Sequence, residues 1–348
     1  MTRSTRQGTG ATRRRKWLAA IVAGVLALAA GIVLVAHVGE LERFVALVAN
    51  FNGRLLALAV LLQVATYACV ALIWWLALRP GGAPPAFGSL MQLSVAKLFT
   101  EQAVPAGGVS GTTFLLAALR RRGLQPRLCA DTVVTTLISY YAAYLAMALV
   151  SLGFLAAHHE ATRWLVALTA LFAVVAVAIP GGAAWMLRRG RRRVPRLLHR
   201  AAGIAAWMDE LRAAPGSGPI RPALLGQMFT AQLGVFLLDA TTLLVLLAAL
   251  GEPAKAGTAV PAFIIASMVA TLGPVPLGVG TFEASCVATL HALGVSFEGA
   301  VSATLLLRGL TTWLPMLPGV WLVRRELARP RQLHTGPVRR DYVAVRKR

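Results

Sequence analysis

Acidic residues are scarce in this chain. It holds 13 Asp and Glu against 35 Lys and Arg in 348 residues, and charged side chains of both signs make up only 14%. Soluble domains carry nearly twice that share, which excludes an ordinary water-soluble fold. Long polar stretches are missing as well. The net charge of +22 therefore has no soluble nucleic-acid-binding domain to belong to, and it sits in short runs between apolar segments. Cysteine is nearly absent: Cys69, Cys129 and Cys286 lie in apolar segments without CxxC or Cys/His spacing, so disulfides and structural zinc are not expected. The six histidines are scattered, and the neighbours His158 and His159 do not by themselves make a metal site. Aspartate clusters that would hold magnesium for prenyl transfer are lacking. No metal and no organic cofactor is expected.

Apolar residues dominate instead, at 57% with a mean hydropathy of +0.68. The pattern predicts an all-α polytopic membrane protein. A basic tail, residues 1–16, precedes a first apolar run over 17–38. That run is long enough to span and lacks a clear small-residue cleavage site, so it reads as a retained helix, not a signal peptide. Residues 39–54 alternate charge and apolar bulk, a pattern suited to the membrane interface. Further spans are read over 55–78, 128–155, 164–187, 223–250 and 300–323. The basic segment 188–221 includes an amphipathic surface helix over 194–211. A single membrane domain thus covers 17–325, and 326–348 form a basic tail.

The charges fix an orientation. With the amino terminus cytoplasmic, 29 of the 35 Lys and Arg fall on the cytoplasmic side and 4 on the other. That is a strong positive-inside signal for a multi-pass protein of the cell membrane with both termini cytoplasmic. It has a consequence for two unusual stretches, 87–119 and 259–293. Each begins and ends on the same side, so each must enter the bilayer and return. Six full transmembrane helices and two opposed re-entrant helical hairpins result, with two thin crossings per stretch as the rival arrangement.

Both stretches are broken by proline and glycine. The first contains Pro105, Gly107, Gly108, Ser110 and Gly111; the second contains Pro276, Gly278 and Gly280. In each, a glycine follows the proline by 18 residues, at Gly123 and Gly294. An offset of 171 residues carries Pro105 to Pro276 and places span on span, so units 55–155 and 223–323 form an inverted repeat, a recurrent transporter plan.

Ionisable side chains at membrane depth are costly and mark functional positions. They are Lys97, Glu101, Asp131, Asp239, Glu283 and Arg308. Lys97 and Glu101 are four apart on a helix, so they serve either a ligand or each other. Arg308 is too deep to snorkel comfortably and should meet Glu283, Asp239 or an anionic ligand. Glu283 also suits the positive end of the helix that opens after Gly280. Asp131 lies near the start of its span. The glycines either admit a head group to helix starts that favour anions or allow close helix packing. Gly108 to Gly111 spell GxSG, an intramembrane protease motif, but Ser110 needs a histidine base, and His291 belongs to the outer end of the other hairpin. No catalytic constellation is found, and the chain is not expected to be an enzyme.

These residues give the chain a family resemblance. "PAGGVSGTTFLLAALRRRG", "PVPLGVGTFEASCVATLHALGV" and "LLLRGLTTWLPMLPG" resemble the flippase-like integral membrane domain family, the transmembrane region associated with lysylphosphatidylglycerol synthase, over about 17–325. The resemblance rests on Pro105, Gly107, Gly108, Arg120, Pro276, Gly278, Gly280, Glu283 and Arg308. It implies binding and translocation of an anionic or modified phospholipid between leaflets. The alternative is a membrane-embedded enzyme or assembly partner in envelope lipid or glycan synthesis. Partners implied are the bilayer, an anionic phospholipid, and a second copy or a separate lipid-modifying enzyme; nucleic acid is not. The chain ends about 25 residues after its last span, so synthesis of lysyl-lipid by this chain is not expected.

Overall fold

Two features of the sequence dictate the architecture: runs of apolar residues too long for a soluble core, and the Pro/Gly breaks that divide them. The computed structural model describes residues 53–82, 84–103, 109–189, 222–253, 255–273 and 278–329, all within one compact unit, Asn52–Arg348. The expected span 17–38, the surface helix 194–211, most of 39–54, the tails and the turn residues Pro105, Gly107, Gly108 and Pro276 lie outside the described residues.

Every regular element among the described residues is helical. In chain order these are α1 (Gly53–Leu78, continued by a 3₁₀ turn to Gly81), α2 (Phe87–Ala103), α3 (Val109–Arg121), α4 (Pro126–Ala157) and α5 (Arg163–Arg189). After the undescribed segment come α6 (Pro222–Ala249), α7 (Ala256–Leu272), α8 (Thr281–Ala292) and α9 (Phe297–Arg308). A π-helical turn, Gly309–Trp313, then leads into α10 (Leu314–Ala328). Among the described residues, five stretches are long and apolar enough to cross a membrane: Gly53–Gly81, Pro126–Ala157, Arg163–Trp185, Pro222–Ala249 and Phe297–Ala328. The protein is therefore a multi-pass helical membrane protein.

The last of these differs from the uniform span expected over 300–323. It starts three residues earlier, widens after Arg308 and continues to Ala328. Pro315 has no N–H for the Thr311 carbonyl, and its ring crowds that carbonyl, so the α pattern cannot run through. The Leu314 N–H reaches back to the Gly309 carbonyl, five residues away, and the wider turn absorbs the conflict.

Glycines end the short helices. Gly123 (φ 77°) closes α3 and Gly294 (φ 89°) closes α8, both in the left-handed region open to glycine at least cost. The two ends carry the same hydrogen bonds: Leu124 N–H to Leu119 O at 3.4 Å, and Val295 N–H to Leu290 O at 3.0 Å. These positions differ by 171, the spacing read from the prolines.

Burial repeats with similar spacing. Seven of the nine buried residues of α1 have a buried counterpart 169 residues later in α6, including Gln63 with Gln232 and Trp74 with Leu243. Phe282, Cys286 and Leu290, the buried face of α8, lie 171 residues after Gly111, Leu115 and Leu119, all buried on α3. Helices 169 and 171 residues apart thus present the same face to the core. The shift from 169 to 171 falls between the short helices, where the second break is longer than the first.

Helices α2 and α3 pack as a pair, as do α7 and α8. In the first pair, Arg122 Nη1, just past α3, donates to Ser89 Oγ in the first turn of α2 at 3.0 Å. In the second, the Glu252 carboxylate ahead of α7 accepts the Ser296 N–H after α8 at 3.1 Å and also binds the Ser296 hydroxyl. The outer ends of each pair therefore lie together. The two mouths sit at opposite ends of α4: Leu128 near its start fills the space beside Gly81, and Phe154 near its end lies against Gly257 of α7. α1 packs along α6, α2 along α10 and α4 along α6, and an aromatic group of Tyr140, Tyr144, Phe172 and Phe236 fills the space between α4, α5 and α6.

Candidate functional site

The best-defined polar feature lies where α8 begins and α9 ends. Antiparallel helices joined by Ser296, whose side chain caps α9 through the Gly299 N–H at 3.0 Å, bring the first turn of α8 to the last turn of α9. There Arg308 Nε donates to Glu283 Oε1 at 2.6 Å, with the side chains 14% and 19% exposed. The other oxygen, Glu283 Oε2, accepts the Gly280 N–H at 2.7 Å. Both roles considered for Glu283, helix cap and arginine partner, are filled together, one by each oxygen. The guanidinium carbon stands 5.1 Å from the centre of the Phe282 ring, a cation–π distance. Among the described residues, the two terminal nitrogens of Arg308 make no hydrogen bond. They keep the paired donors that suit a carboxylate or a phosphate.

Gly280 and Gly278 act differently from each other. Gly280 (φ 79°) has open space where a side chain would stand, so its need for glycine is purely conformational. Gly278 (φ 62°) also lies against α7: a Cβ there would come within 2.5 Å of the Ala270 Cβ. The break in the first pair is tight as well, since a Cβ at Gly111 would collide with the Glu101 side chain. Glycine at 111 thus provides packing room, and glycine at 280 provides a turn.

On α2, Lys97 Nζ and Glu101 Oε1 are 2.5 Å apart, each about a quarter exposed. They form the i,i+4 pair that their spacing predicts. Ser110 lies half-buried in the first turn of α3, and Arg120 half-buried in its last. His291, near the end of α8, binds the Val295 carbonyl through Nδ1 at 3.0 Å. Asp131 stands 3.9 Å from Arg127, one turn earlier at the start of α4.

Asp239 is not the partner of Arg308. It faces α1, where Gln63 Nε2 donates to its Oδ1 at 3.1 Å and the Thr66 hydroxyl lies 3.3 Å from the same oxygen. Gln63 also donates to Thr242 Oγ1 at 3.0 Å, which closes a small polar group between α1 and α6. Gln63, Thr66 and Thr242 escape a reading of the sequence because an isolated glutamine or threonine in an apolar helix carries no local signal. A second cluster was equally hidden. Arg122 and Glu326 join α3 to α10 through two 2.9 Å hydrogen bonds, with side chains only 8% and 7% exposed. Arg329 lies 3.3 Å from the same carboxylate.

Broken helix pairs, apolar spans and a buried arginine–glutamate pair between short helices define a polytopic membrane protein with polar groups held inside a helical bundle. The chain belongs to the family of the lysylphosphatidylglycerol synthase TM region, whose model matches residues 17–319. No curated protein matches it. Membership makes it a membrane protein of a family associated with lipid handling.

Proposed function

We propose that the protein binds an anionic or modified phospholipid by its phosphate and moves it between leaflets of the cell membrane, without catalysing a reaction. The observation that carries this reading is Arg308. Its Nε is committed to Glu283, while its two terminal nitrogens are left with donors to spare beside the Phe282 ring. A guanidinium so held can take phosphate oxygens in a bidentate manner. Arg308 is 12 residues into α9, about 17 Å along the axis at 1.5 Å per residue, and the helix runs about 30 Å further to Ala328.

On this reading α2–α3 and α7–α8 are re-entrant hairpins in an inverted repeat, entering from opposite sides. The hydrogen bonds that join the outer ends of each pair support it, as do the mouths at opposite ends of α4. Arg121, Arg122, Arg325 and Arg329 cluster at one mouth, which suits a cytoplasmic face that gathers anionic lipid. Lys97 and Glu101, near the first break, would exchange their mutual contact for contacts with the passing head group. The test is reconstitution into liposomes with phosphatidylglycerol labelled in one leaflet. Wild-type protein should equilibrate the label, and Arg308→Ala should slow transfer at least tenfold; equal transfer by the two would remove Arg308 from the mechanism.

A further inference from the structure

We infer that Asp239 is a proton-carrying site, distinct from the head-group contacts, that couples lipid movement to a transmembrane proton gradient. The inference rests on the translocation reading for its coupling, though not for the proton site itself.

Asp239 lies 17 residues from the start of α6 and 10 from its end, so about 25 Å and 15 Å of helix separate it from either water phase. An ionised carboxylate at that depth needs a cation or several donors. Its described partners are neutral, Gln63 and Thr66, and both meet the same oxygen, Oδ1. Among the described residues, Oδ2 has no hydrogen-bond partner.

The described helices packed on α6 supply no compensating charge. α1 bears only Arg54, at its outer start, and brings Tyr67 and Cys69 within electrostatic range of Asp239. α4 bears Arg127 and Asp131 at its start, with Tyr140 in electrostatic range of Asp239. α7 has no ionisable side chain, and α9 has Glu298 in its first turn and Arg308, which Glu283 already holds. A metal ion fits poorly. Hard cations require several converging oxygens, whereas the groups directed at Asp239 are an N–H and an O–H. A proton fits well: placed on Oδ2, it removes the charge and leaves Oδ1 as acceptor for Gln63 and Thr66.

The chemistry is a single reversible transfer. Oδ2 takes a proton from water on one side of the membrane and returns it to water on the other, with no other bond changed. Tyr140 lies in electrostatic range of both Asp239 and Glu101.

Two measurements on the full-length protein in phosphatidylglycerol/phosphatidylethanolamine liposomes decide the matter. In infrared difference spectra on acidification, the wild type should show a carboxylic-acid band that is lost in Asp239→Asn, kept in Glu298→Gln and shifted in Gln63→Leu. A band unchanged in Asp239→Asn overturns the proton site. With a pH gradient imposed, wild-type transfer of labelled lipid should accelerate, while Asp239→Asn should transfer at one rate with or without it. A gradient response retained by Asp239→Asn overturns the coupling. If the wild type moves no lipid under any gradient, the translocation reading fails, and the infrared result still decides whether Asp239 carries the proton.

Discussion

Arg122 and Glu326 stand 204 residues apart in the chain and meet through two parallel hydrogen bonds of 2.9 Å, Nε to Oε1 and Nη2 to Oε2. Arg122 closes the first broken pair, and Glu326 is in the last turn of α10. A third bond from Arg122 reaches Ser89, so one guanidinium ties α2, α3 and α10 together.

Removing one partner of a buried pair leaves the other charge uncompensated, at a cost of about 3–5 kcal/mol. Arg122→Ala and Glu326→Ala should each lower the unfolding midpoint in detergent, followed by tryptophan fluorescence. The double variant should be no worse than the more damaging single one. Additive losses would show that the two residues act separately.

Glu283 has two separable duties, and two substitutions divide them. Glu283→Ala removes both the cap on Gly280 and the arginine partner, and should cost about 1 kcal/mol in the cap alone. Glu283→Gln retains an acceptor for Gly280 but frees Arg308 from a competing charge. It should bind phosphatidylglycerol several-fold more tightly and transfer it more slowly, read from lipid retained after gentle purification and from liposome transfer. Faster transfer by Glu283→Gln would contradict a head-group role for Arg308.

The two positive-φ glycines of the second break should respond unequally to alanine. Gly280→Ala meets open space and bears only the backbone penalty, about 1 kcal/mol. Gly278→Ala adds a clash with Ala270 and should be clearly the less stable of the two in thermal melts.

Opposed mouths predict labelling from opposite sides. In a background without native cysteines, Gln125→Cys and Glu298→Cys, both exposed near the outer ends of the two pairs, should react with a membrane-impermeant maleimide from different compartments. Reaction of both from one compartment would refute the opposed arrangement.

Much of this organisation is legible in the chain itself. Apolar run lengths placed five described helices within a few residues, and the Pro105/Gly123 and Pro276/Gly294 spacings located the broken pairs. Arg308 and Glu283 stood out because a charge in an apolar run is conspicuous. What stayed hidden depends on distant pairing. Nothing near Gln63 announces Asp239, 176 residues later. Arg122 reads as one more interfacial arginine in a run of three, and Glu326 as a stray acid in a basic tail, until α3 and α10 are brought together. The π turn had a visible cause in Pro315, but local sequence does not say whether a proline is met by a kink, a break or a wider turn.

That wider turn has a consequence for everything downstream. A π turn accommodates a surplus residue in a helix, and one residue corresponds to about 100° of rotation. Excising a single residue from Gly309–Trp313 would swing α10 by roughly that angle. Gly319 would then leave Phe99, and Glu326 would turn its carboxylate from Arg122. The alignment of α10 with the first broken pair is thus set, like a key cut one notch over, by a lone extra residue beside Arg308.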